Sequence, residues 1–321
     1  TPLIIADSTI AAGTTYFNGN YSQSLTFEID WSSLSQKKLI LGSNNFGNTN
    51  VSTTSAPWRL TYNNVSGAAD TQITITVENY QSKTDTALIY MISDTFAPTI
   101  ALQQPNNDSA ILNNLIEFQW SSASDDKSGI KHYLLEISRQ ANFSEIDTQL
   151  IISNTANTTT VLVNQGEYYW RARLVDNVDN ISSATNSETR AFRVDYTTPQ
   201  INSVYVKTNT NDSLYVDKLG ILANNEDTII INGNKNLSLI FDIIWSDNIG
   251  QSKVSGSNNY GMSPEDTNGA DSWILQYNIS ANSGDTVIYL YAIDKNNNQT
   301  SYKINIKEDK TAPAVVSLLQ P

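Results

Sequence analysis

Leu237-Ser238-Leu239-Ile240-Phe241-Asp242-Ile243-Ile244-Trp245-Ser246 decides the fold. Leu237, Leu239, Phe241, Ile243 and Trp245 fall on one face and Ser238 and Asp242 on the other, the period of two that marks a half-buried strand. The same run stands upstream as Leu25-Thr26-Phe27-Glu28-Ile29-Asp30-Trp31-Ser32. Eleven residues past each Trp comes Gly-Ser-Asn-Asn-aromatic-Gly, at Gly42 to Gly47 with Phe46 and at Gly256 to Gly261 with Tyr260. Trp58-Arg59-Leu60-Thr61-Tyr62-Asn63 then matches Trp273-Ile274-Leu275-Gln276-Tyr277-Asn278, and Asp70-Thr71 matches Asp285-Thr286. Five landmarks in one order describe a unit used twice.

Between the two copies lies a unit of another kind. Asp94-Thr95-Phe96-Ala97-Pro98, Asp195-Tyr196-Thr197-Thr198-Pro199 and Asp309-Lys310-Thr311-Ala312-Pro313 repeat one punctuation, and the chain opens Thr1-Pro2. Proline fixes φ and biases the preceding residue toward extended backbone, which suits a crossing into the first strand of a new domain. The expected organisation is A-B-A, with limits at 1–93, 94–194 and 195–308, and residues 309–321 beginning a further B-like unit. Ile73, Ile75 and Val77 alternate with Thr74 and Thr76, and Tyr168, Trp170, Ala172 and Leu174 with Tyr169, Arg171 and Arg173. Clusters of Asn, Gly, Ser and Asp separate these runs and supply turns. No segment keeps a 3.6 period over three turns. The reading is all-β, with about seven short strands per unit folded as two packed sheets.

Composition narrows what such a chain does. Its 321 residues carry 19 Lys+Arg against 32 Asp+Glu, a net charge of −13 with no basic run. That removes the electrostatic footprint of a nucleic-acid or anionic-membrane binder. Cysteine is absent and His132 is the one histidine, so disulfide frameworks, thiolate zinc sites, Cys nucleophiles and multi-His centres are excluded. No apolar stretch approaches the roughly 18 residues of a membrane span, and the opening residues do not read as a signal peptide. His132 lies out of phase with Tyr133, Leu135 and Ile137 and is expected at solvent or a sheet edge. No serine sits in a nucleophile elbow, and no pair among the 32 acids stands out for glycoside hydrolysis. The chain is expected not to be an enzyme.

The middle unit resembles a known family. Phe118-Gln119-Trp120, followed by Ser128-Gly129-Ile130-Lys131-His132-Tyr133-Leu134-Leu135-Glu136-Ile137-Ser138, looks like strands B and C of a fibronectin type III module. Gly166-Glu167-Tyr168-Tyr169-Trp170-Arg171-Ala172-Arg173-Leu174-Val175-Asp176-Asn177-Val178-Asp179-Asn180 is similar to strand F and the FG loop of bacterial members. The two A units resemble bacterial immunoglobulin-like repeats in outline: a Pro-led first strand, a strand ending in Trp and an Asp/Asn loop near the end. The resemblance implies three tandem immunoglobulin-like and fibronectin III-like sandwiches in a secreted, modular cell-surface protein, as a stalk or layer or as spacers beside an enzyme.

In a fibronectin-like sandwich the start of strand A, the BC loop and the FG loop share the end that meets the preceding domain. For the middle unit these elements supply Asp94, Asp125, Asp126, Asp176, Asn177, Asp179 and Asn180. For the third they supply Asp195, Asp247 with Asn248, and Asp294 with Asn296 and Asn297. Converging oxygen donors are what calcium prefers, at six to eight ligands and about 2.3 to 2.6 Å. The expected ligands are Asp94, Asp125, Asp126, Asp176, Asp179, Asp195, Asp247 and Asp294; the competing explanation is that Asp and Asn simply favour turns. In the first unit Ser32-Ser33 and Asn79 replace the acids and serve as an internal control. Stiffening by Lys to Asn/Asp isopeptide bonds is the alternative, with Lys131 and Lys303 as strand-borne lysines.

Two further features bear on partners. Asn-x-Ser/Thr acceptors occur at Asn20, Asn50, Asn64, Asn107, Asn142, Asn157, Asn180, Asn211, Asn236, Asn278 and Asn298, eleven where 38 Asn and 68 Ser+Thr predict about eight by chance. Trp58, Trp273 and the tyrosines offer stacking surfaces for a sugar, whereas Trp31, Trp120 and Trp245 end apolar runs and belong to cores. The functional expectation is a non-catalytic structural module of a long extracellular repeat protein: a surface layer (S-layer), sheath, filament or adhesin stalk. Its partners are neighbouring copies, other surface proteins and glycans. Carbohydrate-binding or spacer modules of a secreted hydrolase are the alternative.

Overall fold

The computed structural model describes residues 3–5, 13–43, 52–182, 188–208, 215–216, 226–257, 265–267 and 273–314. Most of both Gly-Ser-Asn-Asn-aromatic-Gly loops, with Phe46 and Tyr260, and the acceptors Asn50 and Asn211 lie outside them. Among the described residues the chain is all-β, without a helix.

Backbone contacts divide the chain into two compact units. One comprises Thr1–Pro105, Glu117–Thr159 and Tyr169–Arg190; the other comprises Asn106–Ile116, Thr160–Tyr168 and Ala191–Pro321.

The first strands are β1 (Leu3–Ile5), β2 (Gly13–Asn18), β3 (Gln23–Ile29), β4 (Lys37–Gly42), β5 (Ser52–Thr53), β6 (Arg59–Asn64), β7 (Thr71–Asn79) and β8 (Thr84–Asp94). They form a three-stranded sheet, β1-β3-β6, and a five-stranded sheet, β2-β8-β7-β4-β5. The alternation of Ile73, Ile75 and Val77 sends them into one core with Phe17, Phe27, Ile40, Leu60, Tyr62 and Met91 from both sheets. Trp31 closes that core, 7% exposed.

Next come β9 (Leu102–Gln104), β10 (Ser109–Ile111), β11 (Leu115–Trp120), β12 (Ile130–Ser138), β13 (Thr148–Ser153), β14 (Thr158–Leu162), β15 (Gly166–Asp176) and β16 (Arg190–Val194). Their sheets are β14-β11-β9 and β10-β16-β15-β12-β13. The sheets meet where Phe118 packs edge-on against Trp170, ring centroids 5.1 Å apart, and Trp120 lies 5.3 Å from Tyr133.

The last strands are β17 (Gln200–Thr208), β18 (Tyr215–Val216), β19 (Glu226–Asn232), β20 (Leu237–Ser246), β21 (Gln251–Gly256), β22 (Glu265–Asp266), β23 (Trp273–Ile279), β24 (Thr286–Asp294) and β25 (Gln299–Asp309). They make β17-β20-β23 and β18-β19-β25-β24-β21-β22. Leu237, Leu239, Phe241, Ile243 and Trp245 of β20 all point into the core shared by these two sheets. The first and third sandwiches repeat one construction, with β19 pairing parallel to β25 as β2 pairs to β8.

One face departs from the alternation. Glu136, on the outward face of β12, is fully buried and lies between Arg171 and Arg173, at 2.6 and 2.7 Å. Gln149 Nε2 donates to its other side at 2.9 Å, and the Arg171 guanidinium lies 4.0 Å above the Phe143 ring. Burial works against the Glu136 charge, but the hydrogen bonds from Arg173 and Arg171 prevail and hold its carboxyl below the usual carboxylate range.

Candidate metal centres

Each group of acids is assembled from three elements. β8 ends at Asp94, whose backbone passes directly into the middle sandwich. Asp125 sits in the loop between β11 and β12, where its Oδ1 accepts the N–H groups of Lys127 (3.0 Å) and Gly129 (2.7 Å). Asp176 ends β15 and folds the next four residues around itself: Oδ1 accepts the N–H groups of Val178 (2.9 Å) and Asn180 (2.8 Å), and Oδ2 accepts Asn180 Nδ2 (2.8 Å). Asp179 tops that turn at φ 67°, a left-handed backbone that Asp and Asn tolerate. Asn180 Nδ2 also reaches the Asp94 carbonyl at 3.1 Å, and Ser128 N–H donates to Asp94 Oδ2 at 3.0 Å. One ligand oxygen each from Asp94, Asp125 and Asp176 lies within 4.8 Å of the others.

The third sandwich builds the same arrangement from Asp195, Asp247 and Asp294, again within 4.8 Å. Asp247 Oδ1 accepts the N–H groups of Ile249 (2.9 Å) and Gly250 (2.8 Å). Asp294 Oδ1 accepts those of Asn296 (2.7 Å) and Asn298 (2.9 Å), while its Oδ2 accepts Asn298 Nδ2 (2.8 Å). Asn298 Nδ2 reaches the Asp195 carbonyl at 3.2 Å, and Asn297 tops the turn at φ 66°. Asp195 Oδ1 accepts Thr197 N–H (3.1 Å) and Oγ1 (2.9 Å). The Oδ2 atoms of Asp195 and Asp247 are buried and have no partner among the described residues.

Two ligands held at about 2.4 Å from one ion stand at most about 4.8 Å apart, so three such oxygens suit one oxygen-preferring cation. Without one, three carboxylates in a desolvated corner repel. Asp176 carries the sign of it: burial first, and Asp94's charge with it, push its carboxyl up despite the donors from Asn180 and Val178. Every donor in both groups is oxygen, the preference of hard cations such as calcium rather than zinc or copper.

Six of the eight expected ligands are thus gathered, three to a group. Asp126 and Asp179 stand apart. Asp126 is exposed, in the bend that the Asp125 carboxylate caps. Asp179, at the apex of its turn, has an exposed carboxylate 2.6 Å from Lys131 Nζ. Lys131 lies in an exposed ion pair and Lys303 in a half-buried one, with Glu226 at 2.7 Å. His132 is half-buried on the outward face of β12, opposite Val175 and Ser153.

The other features divide the same way. Trp58 and Trp273 are half-buried and pack against the core residues Trp31 and Trp245, with centroids 5.6 and 5.4 Å apart, instead of standing free as stacking platforms. Of the acceptors, Asn64 and Asn180 are buried, and the Nδ2 atoms of Asn64, Asn180 and Asn298 are all bonded within the fold. Asn142, Asn157, Asn236 and Asn278 are exposed.

No family model and no curated protein matches the chain. Solved structures that resemble it are tandem fibronectin III-like and immunoglobulin-like chains. They include the fibronectin(III)-like modules of Clostridium thermocellum CbhA, at 16% identity over 59% of this chain and 92% of that one, TM-score 0.35. A 1.5-MDa bacterial ice-binding adhesin matches at 12% identity over 92% and 94%, TM-score 0.31. A tetra-tandem repeat from the extending region of a large adhesion protein matches at 14% identity over 92% and 74%, TM-score 0.30. Likenesses of this degree carry no argument about role.

Proposed function

We propose that the chain is a non-catalytic structural segment of a long extracellular repeat protein, of the kind that builds a surface layer, sheath, filament or adhesin stalk. Calcium at Asp94, Asp125 and Asp176, and at Asp195, Asp247 and Asp294, ties the residue at the junction of two sandwiches to two loops of the second. The domain limits that go with this reading are 1–93, 94–194 and 195–308, with 309–321 opening a further module. Neighbouring copies and other surface proteins are its partners.

The observation that carries the reading is the pair of buried, unpartnered oxygens on Asp195 and Asp247, inside a group of three carboxylates. A buried anionic oxygen without a donor costs several kcal/mol unless a cation answers it. Desolvated acids of this kind also occur in catalytic sites. Here each acid is tied through Oδ1 by a backbone N–H of its own turn, which fixes ligands in place.

Isothermal titration of the metal-stripped chain tests the ion. Extracellular modules hold calcium in the range of about 10⁻⁴ to 10⁻³ M. Two binding events by about 10 mM calcium are expected, and a flat titration would end the proposal. Protease treatment of intact source cells tests the setting: release of fragments of this chain is expected, and full protection while internal proteins are also spared would count against it.

A further inference from the structure

The far end of the third sandwich repeats the Asn-Gly-Asn surface that the first sandwich uses to hold the middle one. In the first sandwich Asn18-Gly19-Asn20 follows β2, and Gly19 N–H donates to the Asp94 carbonyl at 2.9 Å. Asn20 N–H donates to Asn18 Oδ1 at 2.9 Å, and Gly67 N–H to the Gly19 carbonyl at 2.7 Å. This hook grips the turn after β15: Asn18 Nδ2 donates to the Val178 carbonyl and Asn20 Nδ2 to Asn180 Oδ1, both at 2.9 Å.

Asn232-Gly233-Asn234 follows β19 in the third sandwich with the same internal bonds. Gly233 N–H donates to the Asp309 carbonyl at 3.0 Å, Asn234 N–H to Asn232 Oδ1 at 3.0 Å, and Asn282 N–H to the Gly233 carbonyl at 2.8 Å. The glycine is needed in both places. A Cβ on Gly19 would fall 2.6 Å from Thr95 Cγ2, and one on Gly233 would fall 2.9 Å from Glu308 Cβ. Asp309 is set as Asp94 and Asp195 are, its Oδ1 accepting the N–H two residues on, here Thr311 at 2.9 Å. The difference is exposure. Asn18 and Asp94 are 3% and 1% exposed, whereas Asn232 and Asp309 are exposed and help line a concavity of about 410 Å³.

We infer that Asn232, Asn234 and Asp309 form a docking surface for the strand-ending turn of a further middle-type module, one carrying Asp-Asn-x-Asp-Asn. The kind of occupant follows from the two contacts already made. The turn of the third sandwich is met by Arg193, whose Nε donates to Asn296 Oδ1 at 3.1 Å, and no Asn-Gly-Asn takes part. Among the described residues, only the middle-type turn is held by such a hook. Asp309 then stands where Asp94 stands, as the first carboxylate of a centre whose other two come from the arriving module. That last step rests on the cation reading; the docking itself rests on the hook.

The test is a chain in which a second copy of residues 95–194 replaces residues 310–321 directly after Asp309. Hydrogen exchange over residues 230–235 is followed in calcium and in chelator, with residues 16–21 as the internal standard. Docking slows exchange at 230–235 about tenfold, toward the standard. Exchange as fast as in the parent chain overturns the inference. Asn234→Ala, at an exposed position that leaves folding intact, restores fast exchange if the hook acts; slow exchange that survives it overturns the assignment. Slowing that appears in the parent chain only as concentration rises would assign the surface to a second copy and overturn the tandem reading. A gain of one bound calcium accompanies docking if Asp309 joins a centre; docking in both buffers without that gain keeps the surface and removes the ion.

Discussion

Replacing Asp195 with Asn changes one charge at a site where every geometric demand of the turn is still met. The amide oxygen accepts the bonds from Thr197 N–H and Oγ1 as Oδ1 does now. The new NH₂ stands where the unpartnered Oδ2 stood and donates toward Asp247 Oδ2, also unpartnered. With ligand oxygens up to 4.8 Å apart, each carboxylate pair repels by about 3–4 kcal/mol at an effective dielectric constant near 20. The N–H donors and the partial exposure of Asp247 offset much of this. A net gain of about 1–3 kcal/mol is expected in chelator, the range of one charge-assisted hydrogen bond. For a sandwich of this size that is about 4–12 °C in Tm. Calcium reverses the order: at about a hundred times its Kd it adds about 2.7 kcal/mol to the parent, and the variant, short of one ligand, loses most of that. Differential scanning calorimetry of parent and D195N, each in chelator and in calcium, reads the crossover. A variant less stable than its parent in both buffers would mean that Asp195 is a turn residue only, and the cation argument would fall with it.

Glu136→Gln leaves Arg171 and Arg173 without their counter-charge in a buried setting and should cost about 3–5 kcal/mol by urea denaturation at neutral pH. Because the folded carboxyl titrates below its unfolded range, its contribution is complete above that range and is lost as pH falls through the folded value. The difference between parent and E136Q should therefore shrink on acidification, and a constant gap would contradict this. In a glycosylating host, peptide mapping should find sugar among Asn142, Asn157, Asn236 and Asn278 and none on Asn64, Asn180 or Asn298. A glycan on Asn180 would contradict the joint described here, since its Nδ2 already bonds Asp176 Oδ2 and the Asp94 carbonyl.

The fold was legible because period-two runs such as Leu237–Trp245 carry their own burial pattern, and repetition supplied the order of the strands. The six gathered acids were legible through loop position alone, since three loops meeting at one end is a property of the topology. Side-chain direction within a loop has no such signal, so loop position alone does not separate Asp126 and Asp179 from Asp125 and Asp176. Glu136 was hidden for the opposite reason. Alternation assigns it to the solvent face, and the cover from Gln149, two arginines of β15 and the nearby Phe143 ring against Arg171 buries it. The Asn-Gly-Asn hooks stand in the sequence as a repeated tripeptide at 18–20 and 232–234, but in a chain with 38 asparagines such a repeat carries little signal by itself.

The first sandwich builds the same turn without the acids. There Asn79 occupies the place of Asp176 and Asp294. Its Oδ1 accepts the N–H groups of Gln81 and Lys83, both at 3.0 Å, and Asn79 N–H donates to the Lys83 carbonyl at 3.0 Å. Ser82 tops the turn at φ 56°, as Asp179 and Asn297 do. Asn79 Nδ2 donates to Ser33 Oγ at 3.2 Å, a neutral contact across to the loop that carries Asp125 and Asp247 in the other sandwiches. The turn therefore forms fully with an amide in place of the carboxylate, and its loop-to-loop contact closes with a hydrogen bond. Turn propensity accounts for a residue that accepts two backbone N–H groups; it gives no reason to place three negative charges within reach of one another in two successive sandwiches. Since Asn closes the turn without repulsion, the turn alone gives no reason for the carboxylates at Asp94, Asp125, Asp176, Asp195, Asp247 and Asp294, and the proposed cation at the centre of each group would answer their charge.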